Sequence, residues 1–206
     1  MRKIIITTFI SLDGVMQAPG GPDEDRSNGF PYGGWMGPHG DDQMNATMGA
    51  FMSQPFDLLL GRYTYDIFAA YWPYISNNPI AEKFNTIHKY VVSGQQRNLE
   101  WKGSTLITGD VVAQLGALKQ EEGPNLVVYG SGKLVQTLLA NDLADELHTW
   151  IFPVTIGEGK RLFAEGTKPA NWKMTQIQSS SKGVIMASYE PAGAIQLELI
   201  GEDNPS

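Results

Sequence analysis

Cysteine is absent from the chain. That excludes disulfides, thiolate zinc sites and cysteine nucleophiles together. Basic residues are scarce: 15 Lys and Arg stand against 22 Asp and Glu, a formal net charge of −7. Such a balance argues against nucleic acid as a partner, because general binding needs a basic surface. It leaves room for an anionic small ligand, which answers to the charges of its own pocket. No long hydrophobic run occurs. The opening MRKIIITTFISLDG is too short to cross a bilayer and lacks a cleavage pattern, so no membrane partner and a cytoplasmic location are expected. His39, His88 and His148 lie far apart without metal-ligand spacing, and no metal site is expected. Neither G-x-S-x-G nor H-E-x-x-H is present, so a hydrolase lacks its nucleophile or metal.

What is present is glycine, 23 copies clustered in a few loops, which suggests close backbone approach to something. A chain of 206 residues suffices for one large domain. We expect that domain over residues 1–200, with a short tail at 201–206. Residues 3–10 (KIIITTFI) are β-branched and almost continuously apolar, as in a strand buried on both faces. A long loop follows to Gly40, rich in glycine and proline but carrying Phe30, Tyr32 and Trp35. Loops of this length are uncommon unless functional, and the aromatics predict an ordered lid.

From Asp41 the period becomes helical, with Met44, Met48, Phe51 and Met52 on one face. Asp41 and Asp42 stand at that helix start, where capping and the dipole favour carboxylates. Strands are predicted at 56–60, 89–93, 104–107, 125–129 and 145–152. Helices are predicted near Thr64, after Asn78-Pro79, at 110–120 and after Gly132. Two last strands, about 172–180 and 184–190, flank a Ser-Lys-Gly turn. This alternation predicts an α/β fold with a mostly parallel sheet, helices on both faces and an antiparallel C-terminal edge hairpin. Ligands on such sheets sit beyond the carboxyl ends of the strands.

Three segments at those ends carry chemistry. In Gly61-Arg62-Tyr63-Thr64 a strand stops at glycine, an arginine follows and a hydroxyl residue is placed to cap the next helix. Free helix-start amides and an arginine fork suit a phosphate monoester. The same residues also read as a capped helix with a solvated arginine. Gly130-Ser131-Gly132-Lys133-Leu134 reads either as a pyrophosphate-binding junction or as a tight turn that uses two glycines. Leu12-Asp13-Gly14 reads as a turn that opens the long loop over a bound ring.

The order SLDG, LLLGRYTYDIF with YWP, VVS, VVYGSGKLVQTLL and FPVTIGEGKRLF resembles the dihydrofolate-reductase-like superfamily. It is most similar there to the C-terminal reductase domain of the bifunctional riboflavin-biosynthesis deaminase/reductase and its stand-alone bacterial relatives. The resemblance spans residue 2 to about 190 and implies a three-layer sandwich with NADPH as cofactor. It implies that Arg62, Tyr63 and Thr64, after Gly61, hold the 2′-phosphate side. Ser93 then lies near the adenosine ribose-phosphate, with Arg97 adding charge. Gly130, Ser131, Gly132, Lys133 and Leu134 form the pyrophosphate loop, and Leu12, Asp13 and Gly14 flank the nicotinamide. The segment from Pro153 to Phe163, with Gly157 and Gly159, approaches cofactor and substrate.

GGWMGPHGDDQM only echoes the tryptophan–proline–acid stretch of folate enzymes, and Asp41 and Asp42 compete for the acid's place. No deaminase zinc motif precedes the domain. The expected activity is hydride transfer to a C=O or C=N group of a small polar substrate that is pterin-, pyrimidine- or ribitol-like. Asp13, His39 and Asp42 are the candidates for delivering the proton. Two alternatives stand beside it: an NADPH-binding module or sensor without catalysis, and a true dihydrofolate reductase. Relatives of this kind pair, so a homodimer is expected.

Overall fold

A computed structural model describes residues 1–198, so the expected tail at 201–206 lies outside the described residues. In chain order the elements are β1 (Ile4–Ser11), α1 (Asp42–Ser53), β2 (Phe56–Gly61), α2 (Arg62–Tyr71), α3 (Pro79–Thr86), β3 (Lys89–Val92) and β4 (Ser104–Ile107). They continue with α4 (Val111–Gln120), β5 (Asn125–Tyr129), α5 (Gly132–Ala140), β6 (Glu146–Phe152), β7 (Trp172–Ser179) and β8 (Ile185–Pro191). The strands form one sheet in the order β4-β3-β2-β5-β1-β6-β8-β7. β1 to β6 run parallel, while β8 pairs antiparallel with both β6 and β7. This is the expected mixed sheet with its antiparallel hairpin.

Strand alternation divides the core in two. Ile4, Ile6 and Ile10 of β1 join Leu59, Leu126 and Val128 beneath Leu115 and Leu118 of α4 and Leu134, Val135, Leu138 and Leu139 of α5. Ile5, Leu58, Leu60, Val127 and Tyr129 face the other way, against Tyr65 of α2 and Phe84 of α3. Tyr65, Phe68, Ala69 and Trp72 recur at helical spacing, and this stripe holds α2 to the sheet. The apolar face of α1 is shared: Met44 and Met48 pack with the lid, Phe51 and Met52 with the sheet centre.

The segment between β1 and α1 is an ordered lid. Phe30 and Trp35 are buried against Val15, Trp150 and Phe152, and the Trp35 indole donates to the Gln17 carbonyl at 2.8 Å. Tyr32 remains exposed. Gly33 is required there, because a Cβ would lie 2.6 Å from two backbone oxygens, those of Gly21 and Pro22.

The helices that follow β2 and β5 lie on opposite faces of the sheet, although the strands themselves are neighbours. Winding therefore reverses between β2 and β5, and the crevice beyond their carboxyl ends is the topological switch point. Open α/β sheets bind ligands in that position.

Candidate functional site

The two helices that start at this switch point differ from the others. α1, α3 and α4 carry Asp41, Asn78 and Asp110 as N-caps, each accepting from first-turn amides. α2 and α5 have no side-chain cap and no acidic residue in the first turn. Each instead carries a cation in its first turn, Arg62 and Lys133 respectively. A cation at a helix N-terminus opposes the macrodipole, and local rules are broken in this way where function requires it. The first-turn amides of Arg62, Tyr63 and Thr64, and of Gly132, Lys133 and Leu134, have no acceptor within their own helices. Amides left free in this way at a helix start attract anions.

A stitch between the two junctions fixes their spacing. The Gly61 amide donates to Ser131 Oγ at 2.9 Å, and the Ser131 amide donates to Thr64 Oγ1 at 2.9 Å. Ser131 Oγ in turn donates to the Tyr129 carbonyl at 3.1 Å. Ser131 adopts a left-handed backbone at φ 56°, directly after Gly130 at φ 55°. These bonds correct the expected capping role of Thr64. The helix begins at Arg62, two residues before the predicted start, so Thr64 lies inside it and braces the neighbouring loop instead of capping. The amide and hydroxyl of Ser131 are both engaged in these internal bonds.

Charge gathers beside α2. Asp66 accepts from Arg62 at 3.1 Å and from Arg97 at 2.6 Å and 3.0 Å. Ser93 is buried at the end of β3, and its hydroxyl donates to the Gln95 carbonyl at 2.9 Å, shaping the loop that carries Arg97.

A second group of contacts binds the lid to the glycine-rich loop after β6. Leu12 is exposed, with its amide donating to the Val154 carbonyl, and Gly14 turns at φ 81°. The Asp13 carboxylate accepts from Ser11 Oγ at 2.6 Å and from the Ile156 and Gly157 amides at 3.0 and 2.7 Å. The Ser11 hydroxyl, followed by these amides, lowers its pKa to about 2. At neutral pH Asp13 is an acceptor that holds a loop, with no proton to give. Gly159 comes so close to the lid that a Cβ would lie 2.8 Å from the Phe30 ring. Two clefts open along this seam. One of about 210 Å³ is lined by Gln17, Ser27, Phe30 and Lys160, the other of about 370 Å³ by Tyr32, Trp35 and Ile156.

His39 is half-buried with its ring edge-on to Phe152, 6.0 Å between centroids. Asp42 is exposed in the first turn of α1. Among the described residues no hydrogen bond joins Asp13, His39 and Asp42. Asp41 caps α1 through the Met44 amide and also accepts from Ser181 Oγ.

The model of the RibD C-terminal domain matches residues 2–186. The chain belongs to that family. RibD C-terminal domains are reductases. The chain is similar to YyaP, an uncharacterized protein of Bacillus subtilis (strain 168), with 28% identity over 195 residues, 91% of this chain and 94% of YyaP. Among solved structures it is similar to a putative riboflavin biosynthesis protein from Shewanella sp. PV-4, with TM-score 0.64, 21% identity, and 93% and 99% of the two chains covered. It is similar also to a dihydrofolate reductase from Enterococcus faecalis complexed with NADP(H), with TM-score 0.58, 15% identity, and 92% and 96% covered. These likenesses establish the dihydrofolate-reductase-like fold for this RibD-type domain.

Several residues of the site escaped the sequence reading. Asp66 had a signal, its i+4 spacing from Arg62. Asp25, Gln17 and Lys160 had none, because their contacts join segments far apart in sequence. Thr7 and Tyr129 occupy paired positions of β1 and β5 on the sheet face toward α2, and their buried hydroxyls have no partner among the described residues. Burial pushes the Tyr129 phenol far up, so it is a neutral hydrogen-bonding group.

Proposed function

We propose that this protein is a cytoplasmic NADPH-dependent reductase acting on a C=O or C=N group of a small polar substrate of pterin-, pyrimidine- or ribitol-like character. One observation carries the reading. Two uncapped helix starts, each with a cation in its first turn, are stitched side by side at the switch point of a RibD-type sheet.

The residues present fit a phosphorylated dinucleotide. Arg62 and Arg97 share one carboxylate, which leaves positive charge for a phosphate monoester beside α2. The amides of Gly132 and Lys133 suit a pyrophosphate, and Gly130 provides the left-handed turn that aims them. Leu12 and Gly14 flank the ring-binding side. NADPH held by these residues would supply the hydride. The protein's share is orientation and exclusion of water, provided by the lid and by the loop that Asp13 tethers. With Asp13 held ionised, proton delivery falls to His39, Asp42 or an ordered water.

Asp13 and Asp41, both committed to backbone amides, favour a second reading in which the nucleotide is bound but not turned over. Titration with NADPH and NADH, followed by the fluorescence of the chain's five tryptophans, is the first test. Saturation with preference for NADPH is expected, and binding of neither nucleotide overturns the proposal. Turnover against a carbonyl and imine panel then separates reductase from binding module. Antifolates are expected to compete weakly, and tight competition would indicate a true dihydrofolate reductase.

A further inference from the structure

Three charged side chains meet beside the start of α2, and their arrangement is unequal. Arg97 grips Asp66 with both ends of its fork, Nη2 to Oδ1 at 2.6 Å and Nη1 to Oδ2 at 3.0 Å. Its guanidinium also lies over the Tyr65 ring at 5.7 Å, and its buried Nε has no partner among the described residues. Arg62 reaches the same carboxylate through one bond of 3.1 Å, four residues along its own helix, with a side chain 52% exposed. Exposed pairs of this kind contribute little. Arg97 is thus fixed and Arg62 is free to leave.

We propose that Asp66 limits this protein's selectivity for a 2′-phosphorylated nucleotide, by withholding Arg97 from the phosphate while releasing Arg62 to it. The proposal rests on the NADPH reading. A phosphate monoester brings close to two negative charges and three acceptor oxygens at neutral pH. It outcompetes a single carboxylate oxygen for Arg62. Asp66 then remains beside it, an anion next to an anion, with the fork of Arg97 still occupied. The site holds two arginines and offers the ligand one.

Removing the charge of Asp66 while keeping its shape removes both restraints. In the Asp66→Asn variant the ratio of affinities for 2′,5′-ADP over 5′-AMP, which differ only in the 2′-phosphate, is measured by titration calorimetry and is expected to rise about fivefold or more, the factor that corresponds to one partly exposed charge pair. An unchanged or lower ratio overturns the proposal and makes Asp66 a scaffold for the arginines. The gain is expected to vanish in Asp66→Asn/Arg97→Gln. A gain that persists there shows that Arg97 was never withheld, which also overturns it. Asp66 is 36% exposed, so the substitution is compatible with folding, and equal thermal midpoints verify this. If the wild-type protein binds neither compound, the NADPH reading falls and takes this proposal with it. If the wild type prefers 2′,5′-ADP and Asp66→Asn does not exceed that preference, the proposal alone falls.

Discussion

The Tyr63 hydroxyl donates to the Asp25 carboxylate across 2.9 Å, joining the first turn of α2 to the middle of the lid. The same carboxylate accepts from Lys160 Nζ at 2.6 Å and from the amide and hydroxyl of Ser27 at 3.0 and 2.6 Å. Lys160 Nζ also stands 4.5 Å over the Tyr63 ring. Asp25 is only 8% exposed. Burial alone would raise its pKa, but Lys160, Ser27 and Tyr63 outweigh it, and the net direction is down. One carboxylate therefore connects three segments: the lid, the start of α2 and the glycine-rich loop.

Substituting Asp25 by Ala leaves these donors without their shared acceptor, at a cost of about 1–3 kcal/mol for groups partly closed from water. The loss should be local. Amide hydrogen exchange is expected to accelerate across residues 20–36 and 157–161, with β1 and β5 unchanged. Equal acceleration throughout the sheet would mean that Asp25 supports the whole domain and is no latch.

Much of the architecture was legible because it rests on local pattern. The β-branched run of β1, the Asn78-Pro79 cap and the stripe of Leu134, Val135, Leu138 and Leu139 each encode their element within a few residues. The glycine junctions were legible as well, since a strand that stops at glycine before an amphipathic helix needs little context. What the sequence hid was pairing at long range. Asp25 meets Lys160 across 135 residues, and Ser131 meets Gly61 across 70. The role of Thr64 was misread for this reason. A hydroxyl near a helix start resembles a cap, and only the adjacency of β2 and β5 reveals what it accepts. Asp13 shows the same limit: a turn-forming Asp-Gly gave no hint that loop amides 143 residues away saturate its carboxylate.

Arg62→Ala is expected to weaken NADPH more than NADH, because only NADPH carries the extra phosphate. A charge-assisted pair in a desolvated site costs on the order of 2–5 kcal/mol when one partner is truncated. Arg62 is half exposed, so the loss should fall at or below the lower end of that range. Competitive titration of the two nucleotides measures it. Equal weakening would place Arg62 outside the phosphate subsite.

A homodimer, which we propose, has a physical motive in β7, whose outer edge is unpaired among the described residues. Nearly every residue of β7 is exposed, including Met174 and Ile177, and exposed apolar edges tend to find a partner. Tyr71 and Tyr74 form a second exposed aromatic group. Light scattering is expected to return twice the chain mass of 22.6 kDa. Ile177→Lys should shift it toward one chain. A wild-type mass of a single chain overturns the dimer.

Asp13 should make the glycine-rich loop sensitive to acid. Its folded pKa of about 2 lies below its ordinary 3.8, so the folded state holds the proton less tightly than the unfolded chain. The stabilisation is complete above pH 4 and is lost as pH falls toward 2. Asp13→Ala should remove this part of the acid transition. It should also lower stability at neutral pH by about 1 kcal/mol or less, because water can reach the freed Ile156 and Gly157 amides. Urea denaturation at pH 3 and pH 7 checks both, and an unaltered difference between the two pH values would sink the assignment.

Lys89 should act in the opposite pH range. It is fully buried at the start of β3, with Nζ donating to the Lys102 carbonyl at 2.9 Å and standing 4.5 Å over the Trp101 ring. Burial pushes its pKa down to about 8 from 10.5, with Asp57 opposing the shift. Between these values the unfolded chain keeps a proton that the folded protein has released. Stability contributed by Lys89 therefore rises as pH increases from about 8 to about 10.5, since the unfolded state binds more protons there. Lys89→Met fills similar volume without a titrating group and should flatten that rise. Denaturant midpoints at pH 7.5 and pH 10 for both proteins make the comparison. If the two proteins change in parallel, the Lys102 carbonyl and the Trp101 ring hold the ammonium well enough to cancel the cost of its burial.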